Sequence, residues 1–165
     1  MAKFYHQIDQ ASSIRPVRYY FAYGMNTNIG EMDYRCPDAI FIGSGRIKNH
    51  KLAFRTHADI EQSNNDEILG VVWQITNDCE RNLDMLEGYP FYYDKVEFIV
   101  ALDTPYKNMT HVTAMAYQMV NQQGYFPPGE RYKQCLIDGY TSHNVDVDQI
   151  YKALEESYNY DTVRN

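Results

Sequence analysis

The octapeptide Leu83-Asp84-Met85-Leu86-Glu87-Gly88-Tyr89-Pro90 places a carboxylate where helix-forming sequence stops. In the last turn of a helix the macrodipole is negative, which disfavours an anion. If Glu87 also faces a pocket walled by Leu86, Tyr89 or Tyr93, loss of hydration raises its pKa further. A carboxyl group tuned upward in this way takes and returns a proton near neutral pH. A second segment, Tyr23-Gly24-Met25-Asn26, breaks a strand through glycine straight into a helix start. Glycine permits positive φ and close backbone approach. The N–H groups of such a turn, with a helix behind them, can cradle a carboxylate or a developing oxyanion. By spacing alone, both segments also read as an ordinary helix end and an ordinary turn.

Other chemistries find less support. His6, His50, His57, His111 and His143 have no ligand spacing among themselves, so no metal is expected. Cys36, Cys79 and Cys135 are odd in number and lack a Cys-x-x-Cys pair. They read as small core residues rather than disulfides or a zinc site. Gly43-Ser44-Gly45 lacks the later glycine of a dinucleotide loop and reads as a strand kink, and no phosphate-binding loop or Gly-x-Ser-x-Gly elbow occurs. No cofactor is therefore expected. Asp146 and Asp148 read as helix-start acids rather than a carboxylate pair. The formal charge of −7, without a basic stripe, argues against nucleic acid. No apolar run approaches the roughly 20 residues that span a bilayer, and the first residues lack a signal peptide's apolar stretch. A cytoplasmic protein without a membrane partner is expected. Monomer and dimer are not distinguished. Sixteen tyrosines suggest many half-buried rings around walls or clefts.

The positioning elements follow from periodicity and breakers. Residues 1–16 read as a polar leader, 17–156 as one domain and 157–165 as a loose tail. Val17 to Tyr23 reads as an aromatic strand, and Ile29 to Arg35 as a short helix stopped at Cys36-Pro37. Ala39 to Ile47 and Lys51 to Thr56 read as strands joined by a turn at Lys48-Asn49-His50. Asn64-Asn65-Asp66 reads as another turn, before a buried strand from Ile68 to Ile75. Asp78 to Glu87 is a helix with Asn77 and Glu80 at capping-box spacing and Leu83 and Leu86 facing inward. Gly88 suits a left-handed cap. Tyr92 to Leu102 and His111 to Val120 are strands. Gly129 to Ile137 is a helix with Gly139 past its end. Val147 to Glu156 is another, with Val147, Ile150, Tyr151 and Leu154 inward. Clustered strands with short helices between them imply an α+β fold.

Taken together, Tyr20-Phe21-Ala22-Tyr23-Gly24-Met25-Asn26, Met32-Asp33-Tyr34-Arg35-Cys36-Pro37, Gly70-Val71-Val72-Trp73-Gln74-Ile75 and Glu87-Gly88-Tyr89-Pro90, in this order, resemble the γ-glutamylcyclotransferase-like family. The resemblance covers about Arg18 to Leu154. It implies a small mixed β-barrel with short helices packed around it. It also implies a cofactor-free enzyme that cyclises a small γ-glutamyl amine or amino acid to 5-oxoproline and releases the amine. The family's acid/base glutamate falls on Glu87, its ligand-cradling loop on Tyr23, Gly24, Met25 and Asn26, and its cavity tyrosine on Tyr93. Met25 stands where the family usually has serine, which bears on substrate range. The alternative is a non-catalytic small-molecule-binding or interaction domain on the same fold.

Overall fold

The structure is a computed structural model and describes residues 16–164. The leader lies outside these residues apart from Pro16. Five strands close in the order β1-β3-β2-β4-β5 into a barrel. They are β1 (Arg18–Ala22), β2 (Ile40–Arg55), β3 (His57–Ile75), β4 (Tyr93–Tyr106) and β5 (Met109–Met119). All pairings are antiparallel except β1 with β5, which meet in parallel at Tyr20 and Met115. Lying between β3 and β5, β1 is central to the sheet, and its Tyr20, Phe21 and Ala22 are buried. That position explains why it reads as a continuous apolar run rather than an alternating one. The helices are α1 (Ile29–Arg35), α2 (Asn77–Glu87), α3 (Glu130–Ser142) and α4 (Asp148–Arg164), with a 3-10 turn at Met25–Thr27 between β1 and α1. The expected α+β barrel is the observed architecture.

Several local expectations are corrected. β2 runs unbroken where a turn at residues 48–50 was expected, and Asn64-Asn65-Asp66 lies within β3. The pairing register shifts there between Lys48 and His50. The irregularity is absorbed by Asn49 and Asn65 at φ 58 and 65, with Asn65 N–H donating to Asn49 Oδ1 at 3.3 Å. Asparagine tolerates this left-handed region better than most residues. A further shift between Phe41 and Gly43 is the expected strand kink. Thr76, not Asn77, caps α2, its hydroxyl accepting from Cys79 N–H at 3.1 Å. Leu83 is buried, but Leu86 faces outward.

α4 continues to Arg164 through the expected tail, because Ser157 extends its buried face beyond Ile150, Ala153 and Leu154. Tyr151, expected inside, is exposed. Cys36 and Cys79 are buried, while Cys135 is half-buried on α3.

Gly139 sits inside α3 rather than beyond it, because α3 crosses the 3-10 turn at backbone contact. A Cβ at Gly139 would lie 2.4 Å from Thr27 Oγ1 and 2.7 Å from Asn28 N. Alanine would favour the helix intrinsically by about 1 kcal/mol, yet overpacking costs about 1–3 kcal/mol and the contact includes backbone that cannot swing aside. Gly139→Ala is therefore expected to lower the stability measured by urea unfolding; a stabilised variant would contradict this packing.

Candidate active site

α2 ends at Glu87 and its chain reverses through Gly88, whose φ of 63 and ψ of 34 form the expected left-handed cap. Tyr89 N–H returns to Asp84 O at 2.9 Å. This closed helix end projects the Glu87 side chain into a cavity of about 340 Å³. Buried Tyr20, Tyr23, Tyr93 and Tyr117 form its inner wall with Tyr132. Gly24, Met25 and Asn26 form one side, and exposed His57, Leu86 and Tyr92 surround the mouth. The structure thus brings Glu87, Tyr23, Gly24, Met25, Asn26 and Tyr93 around one cavity. Tyr89, the other wall considered from sequence, lies instead beneath the Lys95 ammonium at 4.2 Å.

Burial in this aromatic chamber pushes the Glu87 carboxyl up to about 7 from an ordinary 4.5, opposed by the positive charge of Arg35. The residue keeps partial surface exposure because the cavity opens to solvent. Its one hydrogen bond among the described residues is loose, from Asn26 Nδ2 at 3.5 Å. Desolvation therefore acts on a carboxylate with little compensating hydrogen bonding.

Asn26 is held on every side. Its carboxamide oxygen accepts from Arg35 Nη1 at 2.6 Å, its backbone carbonyl accepts from Trp73 Nε1 at 3.0 Å, and its Nδ2 donates to Tyr20 OH at 2.9 Å. Because arginine can only donate, it fixes the amide with the NH2 toward Tyr20 and Glu87. Arg35 Nη2 also reaches Met25 Sδ at 3.3 Å and Glu31 Oε2 at 3.0 Å. Arg35 was not singled out from sequence; Glu31 and Arg35 at i, i+4 resemble an ordinary surface pair. Tyr20, Tyr117 and Tyr132 were hidden among many tyrosines.

Gly24 has φ −109, so its role is not the positive φ expected from sequence. A Cβ there would come within 3.2 Å of both Ala58 Cβ and Tyr132 OH. Close approach explains the glycine. Met25 and Asn26 open the 3-10 turn, so their N–H groups have no acceptor within it. Thr56, a β-branched residue at φ 69, turns the chain between β2 and β3 and delivers His57 and Ala58 to the cavity. Both backbone groups of Ala58 are used: its carbonyl accepts from Tyr93 OH at 2.7 Å and its N–H donates to Tyr132 OH at 3.0 Å.

Tyr93 thus gives its hydroxyl proton to Ala58, not to Glu87, and serves as a wall. Tyr23 OH donates to Tyr117 O, and Tyr117 OH donates to Asp84 Oδ1 at 2.6 Å. Burial raises the pKa of Tyr20, Tyr23, Tyr93, Tyr117 and Tyr132, so all remain neutral hydroxyls. Tyr20 and Tyr132 act as acceptors in these bonds, which leaves their protons available to the cavity.

Among the described residues no group of three or more His, Cys, Asp or Glu is placed to hold a metal ion. No helix among them is long and apolar enough to cross a membrane.

The folded state holds the Glu87 proton between pH 4.5 and about 7, whereas the unfolded chain releases it. Stability from this group is therefore present below pH 4.5 and lost as pH rises through 7. Glu87→Gln removes the titration. Relative to the parent, its unfolding free energy should show little pH-linked gain at pH 4.5 and a gain growing to roughly 2 kcal/mol by pH 8, allowing for partial solvent screening. A pH-independent difference in urea unfolding would contradict the raised pKa.

The sequence pattern of the AIG2-like family matches residues 67–151. The γ-glutamylcyclotransferase of Bos taurus is 30% identical over 133 residues, covering 73% of this chain and 68% of the relative. That of Mus musculus is 29% identical over 150 residues, covering 82% and 78%. A solved γ-glutamyl cyclotransferase structure superposes with a TM-score of 0.71 at 28% identity, covering 84% of this chain and 86% of the other. Family pattern, relatives and fold agree: the chain belongs to the γ-glutamylcyclotransferase-like, or AIG2-like, family.

Proposed function

We propose that this protein cyclises a small γ-glutamyl amine or amino acid to 5-oxoproline and releases the amine, with Glu87 as general base and then general acid. The observation that carries this reading is a carboxyl group poised at about 7 inside the cavity, next to the loop of residues 24–26. The substrate's α-nitrogen attacks its own γ-carbonyl carbon. One C–N bond forms to close the five-membered lactam and the original amide C–N bond breaks. Glu87 takes the proton lost by the attacking nitrogen and returns a proton to the departing one. No water is consumed, and no protein nucleophile is required.

The remaining contributions are positional and electrostatic. Holding the folded-back conformer of the substrate contributes several kcal/mol in favourable cases. Backbone N–H groups of Gly24, Met25 and Asn26 bind the substrate carboxylate or the oxyanion, and an oxyanion donor contributes about 3 kcal/mol. Through Asn26, Arg35 keeps the loop and Glu87 in register. Tyr93 closes the chamber. Met25 contributes its backbone N–H, while its thioether packs against the Arg35 guanidinium instead of offering a hydroxyl.

A binding domain without turnover is the reading that Met25 leaves open. It is disfavoured by Glu87 itself: a carboxylate held out of water costs stability above pH 7, and binding alone draws no benefit from it.

Glu87→Gln keeps the shape and removes the base. It is expected to lower kcat for 5-oxoproline formation by about 10²–10⁴-fold. Because the deprotonated carboxylate is the active form, kcat/KM of the parent should rise with pH and level off above about 7. Chromatographic measurement of 5-oxoproline checks both. Most activity surviving in the variant would sink the proposal.

A further inference from the structure

From Met85 to Tyr92 the chain exposes five large apolar side chains, two of which, Leu86 and Tyr92, stand at the cavity mouth. Met85, Leu86, Tyr89, Phe91 and Tyr92 are 75%, 57%, 38%, 87% and 50% exposed. Scattered exposed hydrophobes need no explanation, but a cluster rimming a cleft marks a binding surface. Leu86 and Tyr92 line the cavity itself, together with His57. The rings form a continuous edge: His57 meets Tyr132 at 5.2 Å and Tyr92 at 6.5 Å between centroids, and Tyr92 meets Tyr93 at 5.2 Å.

The charges are arranged to match. Arg35 is the one lysine or arginine among the described residues lining the cavity, and its donors go to Asn26, Met25 and Glu31. Lys95, whose ammonium covers Tyr89, is held by Glu80 at 2.8 Å and Asp84 at 3.0 Å. A leaving group that brought its own carboxylate to this rim would give up part of its hydration against apolar rings without meeting an uncommitted lysine or arginine among the described lining residues. Desolvating an unpaired carboxylate is strongly unfavourable. Covering the rim with an alkyl or aromatic group is favourable.

We propose that the mouth of the cavity, formed by Leu86, Tyr92 and His57, is a leaving-group subsite for apolar primary amines, aromatic ones above all, that carry no carboxylate. This rests on the cyclotransferase reading of the same cavity and narrows its substrate class. The γ-glutamyl half occupies the inner chamber, and the amine departs past the aromatic rim.

The test is a substrate set in which one group changes at a time. γ-Glutamylphenethylamide and γ-glutamylphenylalanine differ only by the carboxylate on the leaving amine; γ-glutamylethylamide shortens the apolar group. With the full chain at pH 8 and 5-oxoproline as readout, kcat/KM for the phenethylamide should exceed that of each of the others at least tenfold. Leu86→Arg, which sets a cation on an exposed rim position, should shrink the phenethylamide-to-phenylalanine ratio at least tenfold. Equal or better turnover of γ-glutamylphenylalanine by the parent protein would overturn the subsite while leaving the cyclotransferase reading intact. Absence of 5-oxoproline from all three substrates would overturn that reading and the subsite with it.

Discussion

A carboxyl group held away from water at the end of α2 is the constraint around which the molecule is arranged. Among the described residues Glu87 has one long hydrogen bond and a wall of tyrosine rings, and burial outweighs the pull of Arg35. The balance depends on where the guanidinium is spent. A direct bidentate pair between Arg35 and Glu87 would hold the carboxylate ionised and make it a poor base. Instead Arg35 reaches Glu31, Met25 and the Asn26 carboxamide, so the amide of Asn26 stands between the two charges. Its influence on Glu87 is felt at a distance, enough to moderate the pKa without restoring it.

The scaffold serves that arrangement through three backbone devices. The left-handed cap at Gly88 ends α2 at the point where Glu87 projects inward. The passage of β1 into the 3-10 turn brings residues 24–26 to the same cavity, with Gly24 admitting Ala58 and Tyr132 at close range. The turn at Thr56 presents Ala58, whose N–H and carbonyl tie down the hydroxyls of Tyr132 and Tyr93. Three elements distant in sequence, β3 at Ala58, β4 at Tyr93 and α3 at Tyr132, are thereby fastened by backbone-anchored hydroxyls. Such bonds fix ring positions without adding charge beside Glu87, so the chamber stays weakly solvating.

Legibility in the sequence follows the range of the forces involved. α1 was bounded correctly because its stop at Cys36-Pro37 is local, and the end of α2 because Glu87-Gly88 carries its own cap geometry. The family pattern carried Glu87, the loop and Tyr93 to one place, although it could not say that Tyr93 bonds Ala58. What escaped depended on partners far along the chain. Asn49 and Asn65 look like two turns until β2 and β3 pair and one irregularity absorbs both. Gly139 looks like a helix stop until α3 is packed on Thr27 and Asn28. Arg35 looks like half of a surface ion pair until Asn26 is folded against it. Leu86, assigned inward by helical spacing, faces the cavity mouth because the inward side of α2 is taken by Cys79 and Leu83.

The ionisation of Glu87 can be observed without any substrate. The side-chain carboxyl carbon of glutamate, labelled with 13C and assigned by comparison with Glu87→Gln, reports its own titration by NMR. A midpoint near 7 is expected for Glu87 in the folded protein. A midpoint at the ordinary 4.5 would show a well-hydrated or well-paired carboxylate, and would remove the physical basis for the acid/base role proposed for it.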